Sequence, residues 1–351
     1  MSIPSAAMGG TASAASWNQG LWLHSKGWDL AYLTGSGVLV VIPLILYELI
    51  GTSAMFVNLF IAGVIGGPHM YATFFRTALD ESFRQRHPWL IGTSLMIPVL
   101  VVACALWHFQ LLITLFFFWA SVHVLHQIAY ILECYDRRQP ARLQRWSRFI
   151  DYAVVFSSLY PLASYRFIHD EFTIGSTLLL YPEMLKTPLV FYAVSGFFVL
   201  ALAAFVTKTV IEIRQRRVHY PKILLMAVTI GLSILITSYS GDRLEIAFQG
   251  FNTWHSFQYL ALTWYITTLR QQRGEIGPGP LQAIAAKGRF GTFYGVNLLL
   301  TLGALVLIGM VVTLSHLPFE QSYYIVVLSF LLVHYYHDHF LFTRFGELAR
   351  A

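Results

Sequence analysis

Apolar runs of about twenty residues return along the whole chain, and this recurrence restricts its fold more than any other feature. A run such as Leu30 to Ile50 or Phe293 to Leu314 is long enough, at about 1.5 Å per helical residue, to cross roughly 30 Å of hydrocarbon. In that medium each backbone N–H and C=O must be satisfied inside its own segment, so the runs are expected to be helices. Apolar residues make up 56% of the 351 and charged residues only 11%, which excludes an ordinary soluble domain. The expected fold is all-α, a polytopic membrane bundle of about ten transmembrane helices. The spans are read near Leu30 to Ile50, Ser53 to Leu79, Trp89 to Trp107, Phe109 to Tyr135, Ile150 to Ile168, Leu189 to Ile213, Ile223 to Tyr239, Ile246 to Leu269, Phe293 to Leu314 and Tyr323 to Phe342.

Charge sorts the connections between these spans. The net charge of +6 could suggest a nucleic-acid partner, but most Lys and Arg lie in short loops beside apolar runs, where they orient a membrane protein. "DRRQPARLQRWSRF", "EIRQRRVHYPK" and "RQQRGEIGPGPLQAIAAKGRF" follow the fourth, sixth and eighth spans, and Arg76, Arg84, Arg86 and Arg344 follow the second and tenth. The alternate connections carry little net positive charge. Both termini are therefore expected to be cytoplasmic, with every even-numbered span running inward. Glu133, Asp136 and Asp80 are expected to face headgroups or loops. The chain reads as an interfacial segment 1–29, one bundle 30–343 and a short tail 344–351, without a soluble domain; "GEIGPGP" reads as loop. The N-terminus does not look like a cleaved signal, and Trp17, Trp22 and Trp28 are expected at the interface. Cys104 and Cys134, both in apolar runs, form neither a disulfide framework nor a thiolate metal site.

The chemistry is carried by histidine. Of thirteen, His87, His108, His169, His219 and His316 fall in loops or at span ends, and His24 precedes the first span. The others lie inside even-numbered spans: His69 in "GGPHMYATFFRT", His123 and His126 in "WASVHVLHQIAYILECYD", His255 in "FNTWHSFQYLAL", and His334, His337 and His339 in "LLVHYYHDHFLFTRF". Counting back from the first basic residue after each span places His69, His126, His334 and His255 roughly 10 to 22 Å deep, one layer within the error of the boundaries. Helical spacing puts His123, His126, Gln127 and Tyr130 on one stripe and His334, His337 and Asp338 on another, while His339 points away from His337.

A lone membrane histidine is ordinarily a helix-to-helix hydrogen-bonding group. Six at one depth point instead to a metal centre between helices, because ionisable groups in the membrane are costly and mark sites. The expected ligands are His69, His123, His126, His255, His334 and His337. Asp338 is a candidate carboxylate ligand, Tyr130 and Tyr259 are candidate participants, and Asn252, Gln258 and Tyr259 are expected to orient the His255 ring. Gly66, Gly67 and Pro68 read either as an ordinary packing kink or as a bend that aims His69.

Imidazoles without thiolates suit iron, zinc or copper. A site at this depth favours a lipid-soluble substrate, and iron with dioxygen is the economical reading: one or two non-haem ions in an oxygenase acting on an isoprenoid, carotenoid or fatty chain. Zinc hydrolysis lacks a His-Glu-x-x-His pattern. Two alternatives use the same residues, a haem held between two imidazoles for electron transfer and a proton-coupled transporter with a histidine relay. No flavin or nicotinamide fingerprint is present, so a monooxygenase would need an external electron donor.

"GGPHMYATFF", the His-bearing helix ending in "AYILECYD", then "WHSFQYL" and the terminal histidine helix resemble, in order and setting, the retinal-forming bacterial β-carotene dioxygenases of the Brp/Blh type. The family's Gly-x-Pro-His element resembles Gly66 to His69, and its later histidine helices fall near His123, His255 and His334. The resemblance implies a bundle in the bacterial inner membrane whose histidine-held iron cleaves a polyene with dioxygen. Where the family pairs two histidines four apart, this chain has His255 and Tyr259.

Overall fold

The structure is a computed structural model and describes residues 21–138, 145–169, 172–239, 244–277, 279–286 and 289–344. Trp17 and the tail after Arg344 lie outside these residues. Every run read as a span is helical. We label the helices α1 (Lys26–Leu49), α2 (Ala54–Arg76), α3 (Pro88–Trp107), α4 (Phe109–Asp136), α5 (Arg145–Ser157), α6 (Tyr160–His169), α7 (Pro188–Arg214), α8 (Tyr220–Tyr239), α9 (Leu244–Gln272), α10 (Phe290–Ser315) and α11 (Phe319–Leu341). The run expected as one fifth span is broken into α5 and α6 at Ser158 and Leu159.

Six of these helices, α1 to α4, α7 and α10, are long and apolar enough to cross a membrane. The polypeptide is therefore compatible with an integral membrane protein. α9 and α11 have 29 and 23 residues, enough for about 43 and 35 Å of helix, but they are more polar than those six. Their polarity has a structural reason. α9 packs on α1, α2, α4 and α8, and α11 on α2, α3, α4 and α10, so the polar side chains of both helices meet protein instead of lipid.

Two departures from regular helix shape α2. A wide turn at Ala62–Gly66 precedes Pro68, and a tight one at Thr73–Arg76 ends the helix. Pro68 has no N–H to offer the Val64 carbonyl four residues back, and the Tyr294 hydroxyl of α10 donates to that carbonyl at 2.5 Å. Beside it, a Cβ on Gly67 would come within 2.4 Å of the Thr301 side chain, so only glycine allows α2 and α10 to approach so closely.

At the opposite end from the arginine-rich loops lies a small antiparallel hairpin, β1 (Thr173–Ile174) and β2 (Thr177–Leu178), with Thr173 opposite Leu178 and Ile174 opposite Thr177. Its turn donates to two glutamates at helix starts: Gly175 N to Glu245 of α9 (3.2 Å) and Ser176 N to Glu320 of α11 (3.2 Å). At the arginine-rich end, Asp29 accepts from Leu23 N (2.8 Å), His24 N (3.1 Å) and Tyr135 Oη (2.8 Å), anchoring the segment before α1 on α4.

The acidic residues expected to face headgroups are instead paired in the protein. Glu133 accepts from Tyr152 at 2.9 Å and pairs with Arg148 and Arg137, Asp136 pairs with Lys222 at 2.6 Å, and Asp80 with Arg270 at 2.6 Å. The sequence places these carboxylates near the basic loops but hides that Arg148, Lys222 and Arg270 come from other helices. Lys222 also reaches Asp151 at 2.9 Å, and Lys208 of α7 pairs with the same carboxylate, so α4, α5, α7 and α8 share one buried charge network. Removing one member of a buried pair strands its partner, at a cost of about 3–5 kcal/mol. Asp151→Asn is expected to lower stability by up to about that much, because it leaves Lys208 with only Glu212, at 3.7 Å, and Lys222 with only Asp136. A shift in the thermal unfolding midpoint of detergent-purified protein would measure it; an unchanged midpoint would show that the network contributes nothing.

Candidate metal centre

Four imidazoles, each from a different helix, meet in the middle of the bundle. His69 of α2 lies 4.8 Å, centroid to centroid, from His334 of α11 and 5.2 Å from His255 of α9; His123 of α4 lies 4.9 Å from His255 and 5.1 Å from His334. These four contacts close a ring. Asp338, one turn beyond His334, brings Oδ2 to 3.5 Å from His334 Nε2 and 3.8 Å from His123 Nε2. All five residues are at most 4% exposed.

Hydrogen bonding tells which atoms face the centre. His69 Nδ1 donates to the Gly66 carbonyl and lies 2.9 Å from Ser256 Oγ, which leaves Nε2 without a partner. His334 Nδ1 lies 2.5 Å from Thr73 Oγ1, and its Nε2 is likewise unpartnered. Asp338 accepts on Oδ1 from Tyr259 Oη (2.5 Å) and Thr73 Oγ1 (3.0 Å), so Oδ2 is left facing the rings. Neither ring nitrogen of His255, nor His123 Nε2, has a hydrogen-bond partner. Buried polar atoms are rarely left so, because each costs about 1–3 kcal/mol when unpaired. Here five residues aim such atoms at one another.

The arrangement is one that could hold a metal ion. Histidine ligands hold their tautomer through the nitrogen that does not bind metal, as His69 and His334 do here. Ligands bonded at about 2.0–2.2 Å lie about 3 to 4.4 Å apart, and the potential ligand atoms of His69, His255 and His334 lie within 4.8 Å of one another, as do those of His123, His334 and Asp338. The donor set of nitrogen and oxygen without sulfur suits iron or zinc. The four rings lie in mutual contact at 4.8 to 5.2 Å, a closed cluster and not the single facing pair that an axial haem site uses.

The remaining expected residues lie elsewhere. His337 Nδ1 is 3.0 Å from Thr77 Oγ1 and its ring packs on Phe74, outside both ligand groups. His126 lies against His339 (5.3 Å) and Phe342 (5.2 Å), toward the arginine-rich end. A spacing of three residues shares a helix face only loosely, so each His-x-x-His pair sends one ring inward and the other to a neighbouring surface. Tyr130 stacks on Phe342 about 10 Å along α4 from His123. Tyr259 is at the centre through Asp338, although the expectation was that it would orient His255. Neither Asn252 nor Gln258 bonds the His255 ring: Asn252 accepts from Ser256 (3.3 Å), and Gln258 accepts from Gln127 (3.1 Å) and donates to the Leu33 carbonyl. His24 sits on Trp28 and Tyr265, at the edge of the bundle.

Sequence reading misses Thr73 and Ser256. Thr73 lies one turn after His69 and contacts three members of the centre, His334, Tyr259 and Asp338; the i, i+4 spacing from a candidate ligand was its only signal. Ser256 directly follows His255 and reaches across to His69, which spacing along one helix does not reveal.

Comparisons with protein-family profiles, with curated proteins and with solved structures return no match to this chain.

Loss of the bonds that orient a ligand ordinarily costs about 10–100-fold in metal affinity. Thr73→Val, which keeps the shape and removes the hydroxyl, is expected to weaken metal retention by that factor, read by titration with a competing chelator. His126→Ala and His337→Ala are expected to keep the wild-type metal content; loss of metal in either would show that the centre extends beyond the four-ring cluster.

Proposed function

We propose that the chain is an oxygenase of the bacterial inner membrane in which His69, His123, His255, His334 and Asp338 hold non-haem iron and a lipid-soluble substrate is oxidised with dioxygen. The observation that carries this reading is the convergence of four imidazoles and one carboxylate, each with an unpaired acceptor atom, deep in an apolar bundle. The arginine-rich loops support placing that end in the cytoplasm, with both termini on the same side.

Iron bound there would supply the one-electron chemistry that dioxygen needs to react with an unactivated carbon. The protein's own groups do the rest. His69, His123, His255 and His334 would hold the ion through nitrogen and Asp338 through oxygen, a donor set that suits iron. Thr73 and Ser256 fix the orientation of His334 and His69. Tyr259 and Thr73 hold Asp338 so that its second oxygen faces the rings. The apolar helices around the centre exclude bulk water, which protects a reactive site from side reactions. As a dioxygenase, the enzyme would place both oxygen atoms in product and need no reductant. As a monooxygenase, it would reduce the second atom to water with two electrons and two protons from an external donor.

The resemblance of "GGPHMYATFF" and "WHSFQYL" to polyene-cleaving dioxygenases supports an isoprenoid or carotenoid as substrate, with a fatty chain as the alternative.

Metal analysis of detergent-purified protein is expected to find about one iron per chain with no Soret band, and His69→Ala or His334→Ala is expected to lose it. If both variants retain wild-type metal while remaining folded, the ligand assignment is wrong. If the wild type carries zinc alone and consumes no dioxygen with any lipid offered, the oxygenase reading is wrong.

A further inference from the structure

A cavity of about 130 Å³ lies against one side of the histidine cluster. Its walls beside His69 are Gly66, Met70 and Tyr335. Along its length it is lined by residues that precede the cluster histidine on their helices: Phe116 and Phe117 before His123, Phe248 before His255, and Leu328 before His334. α4, α9 and α11 all start at the hairpin end, where Gln110 donates to the Leu178 carbonyl (2.9 Å) and Glu245 and Glu320 accept from the hairpin turn. The cavity therefore lies on the hairpin side of the rings.

The opposite side is filled. Thr73, Tyr130 and Tyr259 follow His69, His123 and His255 on their helices, Phe342 follows His334, and each is at most 2% exposed. The Phe342 ring lies 5.1 Å from Tyr130, 5.9 Å from His123 and 6.3 Å from Tyr259, an aromatic floor beneath the cluster. Packing of this kind admits no hydrocarbon chain without displacing side chains. A chain whose middle met the rings would have to send two arms away from them. With a cavity on one side and a floor on the other, there is room for one. Nor can a chain double back inside the cavity. Its volume is below the roughly 150 Å³ of an apolar cavity that takes up a single benzene, yet it extends from His69 to Asn58, about 16 Å along α2.

The geometry points to end-on binding: the cavity holds the apolar terminus of a long slender lipid chain against His69, with the rest of the chain running toward the hairpin end, so that the carbon presented to the centre lies at or near the terminus. This rests on the oxygenase reading only for what happens to that carbon. It narrows the substrates named above, isoprenoid or fatty, to chains with a slender acyclic end.

The test is photolabelling of the full chain in zwitterionic nanodiscs with two diazirine-bearing hexadecanols, one carrying the diazirine at the methyl end and the other in mid-chain. Label that excess unmodified hexadecanol competes away is scored by peptide mapping. The end-labelled probe is expected on Met70, Tyr71, Leu331 or Tyr335, and the mid-chain probe on Phe116, Phe248 or Ala304, all of which line the cavity. Gly63 lines it too and has nothing within 4 Å of an added Cβ, so Gly63→Phe is expected to abolish the label beside the cluster and leave metal content unchanged. If that variant does not fold, Ala304→Phe carries the same expectation and the same refutation. Reversed positions, identical positions for the two probes, no competable label in the cavity, or unaltered label in the folded variant would overturn the inference. The expected pattern in protein that binds no metal would leave end-on binding standing and remove the oxygenase reading; metal binding with a reversed or absent pattern would do the reverse.

Discussion

Everything in this bundle is arranged around the cost of burying nitrogen lone pairs. An imidazole placed in hydrocarbon needs a partner for each ring nitrogen, and the ordinary solution is a carbonyl or hydroxyl from a neighbouring helix. His69 and His334 use that solution on one side only, through Gly66 and Thr73, and hold the other side open. Four rings and Asp338 share the same unsatisfied core, so the assembly makes chemical sense with a cation at its middle. The helix irregularities follow from that requirement. The wide turn before Pro68 frees backbone carbonyls, one of which orients His69 while another is satisfied by Tyr294.

Much of this was legible in the sequence. Long apolar runs gave the helices, since a strand or loop cannot satisfy its backbone in lipid, and depth counted from the basic loops put the histidines in one layer. The rotation of each side chain was less legible. His123 and His334 meet in the cluster, but the histidines three residues later, His126 and His337, turn to other surfaces because their helices cross the centre at angles a single sequence does not fix. The break between α5 and α6 and the choice of cation for Glu133, Asp136 and Asp80 were likewise outside its reach, because both depend on which helices become neighbours. Thr73 and Ser256 were invisible for the same reason: a hydroxyl in a membrane helix usually bonds its own backbone, as Thr209 and Thr229 do here.

The site and the buried charge network lie in different parts of the bundle. Lys208, Lys222, Asp151 and Asp136 join α4, α5, α7 and α8, whereas the histidine cluster joins α2, α4, α9 and α11. α4 belongs to both. Its 28 residues carry His123 at mid-length and Asp136 at the end, so the helix is held at one end by charge and in the middle by the centre.

The polarity of α9 and α11 has a consequence for biogenesis. Each polar or ionisable residue near the middle of a helix raises the free energy of its transfer from the translocon into lipid, and these two helices bear most of the groups that form the centre. They are also among the last to be synthesised. In a membrane, their entry would depend on a receptive surface already built by α1, α2 and α4, and the step that completed insertion would be the one that brings His255 and His334 to their partners.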